Sequence, residues 1–192
     1  MAIAASKGMT LVELLVVLAI MGILGTALFQ VFQAHNRQAL MQEETALMHQ
    51  ELLSAMVIMA DAIRMCGYAP NPTSSVTFGL NTTNATGISC TRDMNGNGIL
   101  DSTDQENIGF RFNATLNMIQ YLSNGTIQWQ PLAVNIGDLQ FAYFDDNNNP
   151  TNTTDAIRIV SINATAIPSN RGLAMGVRNR TMFTTVQIRN YR

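Results

Sequence analysis

From Met9 to Phe32 the chain carries a single charged side chain, Glu13. At about 1.5 Å per residue in a helix, a run of this length crosses a bilayer core of about 30 Å. The stretch therefore reads as a membrane segment, and the fold must leave it in lipid or against other apolar helices. Glu13 narrows the choice further. A carboxylate near the start of an apolar run is costly in lipid and needs a cation beside it.

The residues ahead of this run are Met1-Ala2-Ile3-Ala4-Ala5-Ser6-Lys7-Gly8, with one positive charge at Lys7. An ordinary secretory signal places its small-residue cleavage site after the apolar region, whereas here the Lys7-Gly8 junction precedes it. With Lys7-Gly8 followed by Met9-Thr10-Leu11-Val12-Glu13 and then the apolar stretch, the sequence resembles the type IV prepilin family, which includes pilins and the pseudopilins of type II secretion. The resemblance covers about the first 25 residues. It implies that prepilin peptidase cuts after Gly8 and methylates the new amine of Met9. It also implies that Glu13 neutralises the amine of a neighbouring subunit inside a filament. An ammonium and a carboxylate, each costly alone among apolar helices, become tolerable when they meet there. The implied partners are other pilin subunits in a hetero-oligomeric filament, prepilin peptidase and the inner membrane. The implied location is the inner membrane before assembly, then an extracellular pilus or a periplasmic filament.

The chain has 192 residues, enough for one domain beyond the membrane segment. Its formal net charge is −2, so no basic excess points to nucleic acid, and none is expected as a partner. Arg171, Arg178, Arg180, Arg189 and Arg192 gather near the C-terminus and read as a solvated face. The two cysteines, Cys66 and Cys90, lie beyond the membrane segment. If that part is exported they can join, and the closed loop would add a few kcal/mol by restricting the unfolded chain.

No proline occurs before Pro70, and Thr10 to Met65 is rich in helix formers. One helix is therefore expected to continue out of the membrane. Beyond Phe32 it becomes amphipathic: Met41, Met48, Leu52, Met56, Met59 and Ile63 recur along one face, to be laid against a sheet. Gly67 can close the helix in a left-handed conformation, and Pro70 and Pro72 cannot extend it. The run Arg64-Met65-Cys66-Gly67-Tyr68 resembles the helix end of minor pilins of the PilW type.

From Thr73 to Asn107 the composition turns to Ser, Thr, Asn, Gly and Asp, and is read as loop. Strands are expected at 108–112, 118–122, 126–129, 138–144, 156–166 and 181–189, with a hairpin at Asn124-Gly125 and a turn at Asp145 to Asn149. The expected organisation is a leader over 1–8, a transmembrane or filament-core helix over 9–32 and its amphipathic continuation over 33–67. A loop region holding the disulfide and a calcium loop follows over 68–107, then an antiparallel β-sheet domain over 108–192. This is an α+β fold, a long N-terminal helix packed on a C-terminal antiparallel sheet.

The metal chemistry lies in Asp93-Met94-Asn95-Gly96-Asn97-Gly98-Ile99-Leu100-Asp101-Ser102-Thr103-Asp104. In the twelve-residue calcium pattern, Asp93, Asn95 and Asn97 take ligand positions one, three and five, and Gly98 the turn position. Ile99 offers a backbone carbonyl, Asp101 acts directly or through water, and Asp104 takes the last position. An aspartate there resembles the loops of dockerin modules and other extracellular calcium loops. Without paired helices around it, the loop would be a structural clamp rather than a sensor that opens.

Catalytic signals are sparse. His35 and His49 lie on the expected helix without a neighbouring nucleophile, and no phosphate-binding glycine loop, H-E-x-x-H or G-x-S-x-G occurs. No enzymatic activity is expected. The residues point to a minor pilin that assembles through its N-terminal helix into a type IV pilus or its priming or tip complex. A type II secretion minor pseudopilin shares every N-terminal feature. A pilus-tip adhesin or ligand-binding module and a membrane-anchored calcium-binding domain are the other readings.

Overall fold

The structure is a computed structural model, and it describes residues 8–70, 76–101, 104–123 and 128–189. Helix α1 runs over Leu11–Arg64. It contributes to two compact units, one reaching Glu43 and the other beginning at Glu44.

In the first unit every side chain from Gly8 to Ala39 is exposed, including Leu18 at 59%. This part of α1 is long and apolar enough to cross a membrane. It is apolar all round, so no single face is set apart for a core of its own chain.

In the second unit the remainder of α1 buries Met48, Leu52, Ala55, Met56, Met59 and Ile63. These include five of the residues expected to form the apolar stripe; Met41 falls in the first unit. Burying each of the large ones contributes about 1.5–3 kcal/mol. Two glutamates on this segment fix it to the sheets. Glu44 Oε1 accepts from the Ser169 N–H at 2.9 Å, and Glu51 Oε1 accepts from the Val134 N–H at 2.7 Å. Gly67 (φ +75°) supplies the expected left-handed residue just past the helix, and its N–H donates to Thr91 O at 3.0 Å.

The expected antiparallel sheet is divided in two. The first sheet holds β1 (Leu80–Asn84), β2 (Gly87–Thr91), β3 (Asn107–Asn113), β4 (Met118–Ser123) and β5 (Gln130–Ala133), each paired antiparallel with the next. The second holds β6 (Ile136–Phe144), β7 (Ile159–Ala166) and β8 (Arg180–Gln187), also antiparallel. The break falls at Val134-Asn135, where Asn135 takes a left-handed conformation (φ 53°). Pro131, lacking an N–H, sits in β5 at the edge of the first sheet, where a ladder donor is dispensable. The sheets remain joined by Phe141 N–H to Ala85 O at 2.8 Å and Ile136 N–H to Asn117 O at 2.8 Å. Buried Tyr143 adds its hydroxyl, 2.9 Å from Asn84 O and 3.1 Å from Gly87 O. Burial pushes the ionisation of this phenol above its ordinary range, so it remains a donor.

The loop expected over 68–107 is corrected by β1 and β2. Its Asn, Ser and Gly residues carry a turn signal, but Thr82, Thr83, Ile88 and Thr91 are β-branched, and β2 is buried between β1 and β3. Of the strand expected over 126–129, residues 126 and 127 lie outside the described residues, and Gln128 and Trp129 precede β5, which begins at Gln130. The Asn124-Gly125 hairpin tip lies outside the described residues. The strand expected from Ala156 starts at Ile159, after a short 3-10 turn at Thr154–Ala156. Helix α2 (Asn170–Met175) was not expected at all. It is capped by Ser169, whose hydroxyl accepts from the Gly172 N–H at 3.2 Å.

Candidate assembly helix and calcium loop

Of the residues expected to govern processing and assembly, Lys7 lies outside the described residues. Gly8 and Met9 are exposed ahead of α1, and Glu13 sits in its first turn. Glu13 is engaged by Thr10. The Thr10 N–H donates to Glu13 Oε2 at 2.8 Å, and the Thr10 hydroxyl lies 3.0 Å from the same oxygen. In return Thr10 Oγ1 accepts from the Glu13 N–H at 3.3 Å. This reciprocal pair is a capping box, which satisfies two backbone donors that would otherwise be orphaned at the helix start. The Thr-x-x-Glu spacing that forms it is legible in Thr10-Leu11-Val12-Glu13, and the reading of Glu13 as an isolated acid overlooked it. Glu13 also places negative charge at the positive end of the helix dipole.

Cys66 and Cys90 are bonded, with a Cα–Cα distance of 5.6 Å, and both are buried. The bond ties the chain just past α1 to β2, the strand between β1 and β3. Beside it the Asp93 N–H donates to Tyr68 O at 2.7 Å, so the chain leaving the helix runs along the chain leaving β2.

That exit leads into the acidic loop between β2 and β3. Asp93 is fully buried, and its carboxylate accepts from the Gly96 N–H at 2.7 Å and the Gly98 N–H at 2.9 Å. Gly98 has φ +75°, a conformation that side-chain-bearing residues rarely adopt, so the turn position suits glycine. Asn95 Oδ1 accepts from the Asn97 N–H, and Asn97 Oδ1 accepts from the Ile99 N–H, which winds the loop inward. The amide of Asn95 donates to Asp101 Oδ2 at 2.9 Å and Asp104 Oδ2 at 2.7 Å, while that of Asn97 donates to Asp101 Oδ2 at 2.6 Å. Asn95, Asn97, Asp101 and Asp104 are thereby brought together around shared contacts, with Asp93 holding the turn beneath them. Ile99 has an exposed side chain, which leaves only its backbone for a ligand role.

Among the described residues, no three His, Cys, Asp or Glu side chains converge closely enough to form a metal centre by themselves. The loop's donor set is instead mixed, three aspartates with two asparagines and a main-chain carbonyl. Such hard oxygen donors suit calcium, which accepts six to eight of them in flexible geometry. Asp93 Oδ1, Asp93 Oδ2 and Asp104 Oδ2 each accept one of these N–H groups and keep a lone pair that a cation could use, whereas Asp101 Oδ2 accepts two.

Sequence reasoning missed Glu106. It is fully buried, and its two oxygens accept from the Met94 N–H at 3.0 Å and the Asp101 N–H at 2.6 Å, clasping the two arms of the loop. Its only signal was a glutamate just ahead of a strand, which carries no hint of burial. The second acidic cluster behaves as the turn expected of it: Asp145 accepts from the N–H groups of Asn147 at 2.9 Å and Asn149 at 2.8 Å. The Asn149 N–H foremost holds the Asp145 carboxyl below its ordinary range. His35 and His49 are exposed on α1.

The described residues thus combine a membrane-length apolar helix, capped through Glu13, with antiparallel sheets that follow it in the chain. The family model described as prepilin peptidase-dependent protein B matches residues 41–187, and that of the prokaryotic N-terminal methylation motif matches residues 3–29. The chain belongs to the prepilin peptidase-dependent protein B family. No curated protein sequence matches it. Among solved structures it is similar to a type IV-like pilin from Thermus thermophilus, at 10% identity and a TM-score of 0.47. That match covers 75% of this chain and 98% of the other.

Proposed function

We propose that this protein is a minor pilin, PilW-like in character, which is cleaved after Gly8, methylated on Met9 and built through α1 into a type IV pilus or its priming or tip complex. The observation that supports this most is the first part of α1, exposed and apolar on every side and led by the Glu13 capping box. Such a surface is stable in lipid or among neighbouring helices. Before assembly it anchors the chain in the inner membrane; afterwards it forms part of a filament core with other pilin subunits. There Glu13 would exchange some of its contact with Thr10 for the methylated amine of a neighbour. Mass spectrometry of the mature chain should find N-methyl-Met9 at the N-terminus, and an intact Met1 on correctly targeted protein would refute the reading. Glu13→Ala should insert into the membrane normally but enter filaments poorly.

The loop from Asp93 to Asp104 is a structural calcium clamp in this reading. Asp93, Asn95, Asn97, Asp101, Asp104 and the Ile99 carbonyl would hold the ion, and Glu106 would keep the arms in place. Calcium would neutralise the Asp101 and Asp104 carboxylates, which accept from the side-chain amides of Asn95 and Asn97. Millimolar calcium should raise the melting midpoint of the full chain, and a chelator should reverse the shift. Asn95→Ala together with Asp104→Ala should abolish the response. Glu106→Gln should lower stability by about 1–3 kcal/mol with or without calcium, because the buried side chain then presents a donor to one of the two N–H groups it accepts from. No midpoint shift in the unmodified chain would reject the clamp.

A further inference from the structure

Among the described residues, the two sheets present four edges, and three of them are blunted. The β1 edge carries a register irregularity between Leu80 and Thr82. On the opposite side of that sheet β5 is only four residues long and contains Pro131. The β6 edge is already engaged by the turns at Ala85 and Asn117. Edge strands are ordinarily protected by such devices because their unpaired backbone groups would otherwise recruit another chain.

Among the described residues, the β8 edge lacks them. Its pairing with β7 runs from Arg180 to Gln187 without a shift. From Thr181 to Gln187 there is no charge and no proline. The Ile188 N–H donates to Arg158 O at 2.9 Å, which fixes the alternation. Arg180, Met182, Thr184 and Val186 direct their backbone groups to β7, and those of Thr181, Phe183, Thr185 and Gln187 point away from the sheet. The outward-facing residues also have exposed side chains, among them Phe183 at 67%. At the ends stand three exposed arginines, Arg178 before the strand, Arg180 at its first position and Arg189 after it. No acidic residue occurs between Gly176 and Arg189. Among the described residues, none of the three arginines forms an ion pair.

We infer that the open edge of β8 accepts an added strand from a different polypeptide, an extended segment with an uncharged, β-branched middle and carboxylates flanking it. The backbone groups of Thr181 to Gln187 would supply the affinity, Phe183 an apolar contact across the new pair, and the terminal arginines the choice of partner. A second copy of this chain fits poorly. Antiparallel self-pairing about the strand centre sets Arg180 of one copy beside the Arg189 end of the other, and like charges placed opposite each other destabilise a pair.

Backbone amide exchange on the full chain in detergent micelles tests this, with two synthetic peptides as probes. Both alternate threonine and valine in the middle; one is flanked by aspartates and the other by lysines. At millimolar concentration the aspartate-flanked peptide should slow exchange at Thr181, Phe183, Thr185 and Gln187 by about tenfold, with little effect from the lysine-flanked one. Arg180→Glu combined with Arg189→Glu should reverse that preference without disturbing the fold. Thr185→Pro, which removes one outward N–H, should abolish protection, and Phe183→Lys should weaken it should the proline variant fail to fold. Equal slowing by both peptides, slowing by neither, or protection that grows with protein concentration in the absence of peptide would each overturn the inference.

Discussion

The two parts of α1 draw on similar side chains and meet opposite surroundings. Leu18 in the first is 59% exposed, whereas Leu52 in the second is fully buried. What separates them is the spacing of polar residues. Glu44, Gln50, Glu51 and Asp61 break the second part into one apolar stripe, which one chain's sheets can cover. The first part has no polar face between Glu13 and Gln30, so it needs apolar neighbours on every side. A single continuous helix can therefore divide its hydrophobic surface between folding and anchoring.

Truncation gives the sharpest test of that division. Leu52→Ala should destabilise the second unit by about 2–5 kcal/mol through lost burial and a residual cavity. Leu18→Ala should leave its melting midpoint in place while weakening membrane retention. Equal effects on melting would erase the distinction. Next in size, Cys66→Ser should cost about 3 kcal/mol in denaturant unfolding, a loss confined to the second unit. Thr10→Ala acts only on the first part. Removing the cap should cost about 1 kcal/mol locally, read as faster amide exchange in the opening turn with unchanged melting of the sheets.

The smallest effect is in pH. Hydrogen bonds from Ser169 hold the Glu44 carboxyl below its ordinary value of 4.5. A depressed folded-state value means the contact stabilises above about pH 4.5 and is lost as pH falls through the lower folded value. Acid titration of thermal stability should therefore be slightly less steep in Glu44→Gln than in the unmodified chain.

Long-period features were the most legible in the sequence. The apolar run, the stripe from Met48 to Ile63, the helix stop at Gly67 and the strands with aliphatic alternation all follow from local chemistry repeated over many residues. The gathering of Asp93, Asn95, Asn97, Asp101 and Asp104 was legible because fixed spacing around Gly98 sets the turn. Tertiary pairing decided what was missed. Strands β1 and β2 are polar in composition and hold their shape through neighbours, and α2 is too short to show a period. Glu106 is buried because the two arms of the loop offer it N–H groups, a fact about folded geometry that its sequence position does not reveal. The division into two sheets turns on Asn135, whose left-handed conformation is one of several that an asparagine can take.

The bond between Cys66 and Cys90 has a mechanical consequence. Tension entering the chain along α1 meets a covalent shortcut at Cys66 and leaves at Cys90 in β2, so residues 67–89 carry none of it. With the bond intact, that stretch is hidden length, released only by reduction, and the load passes directly from the helix to β2, an inner strand of the first sheet.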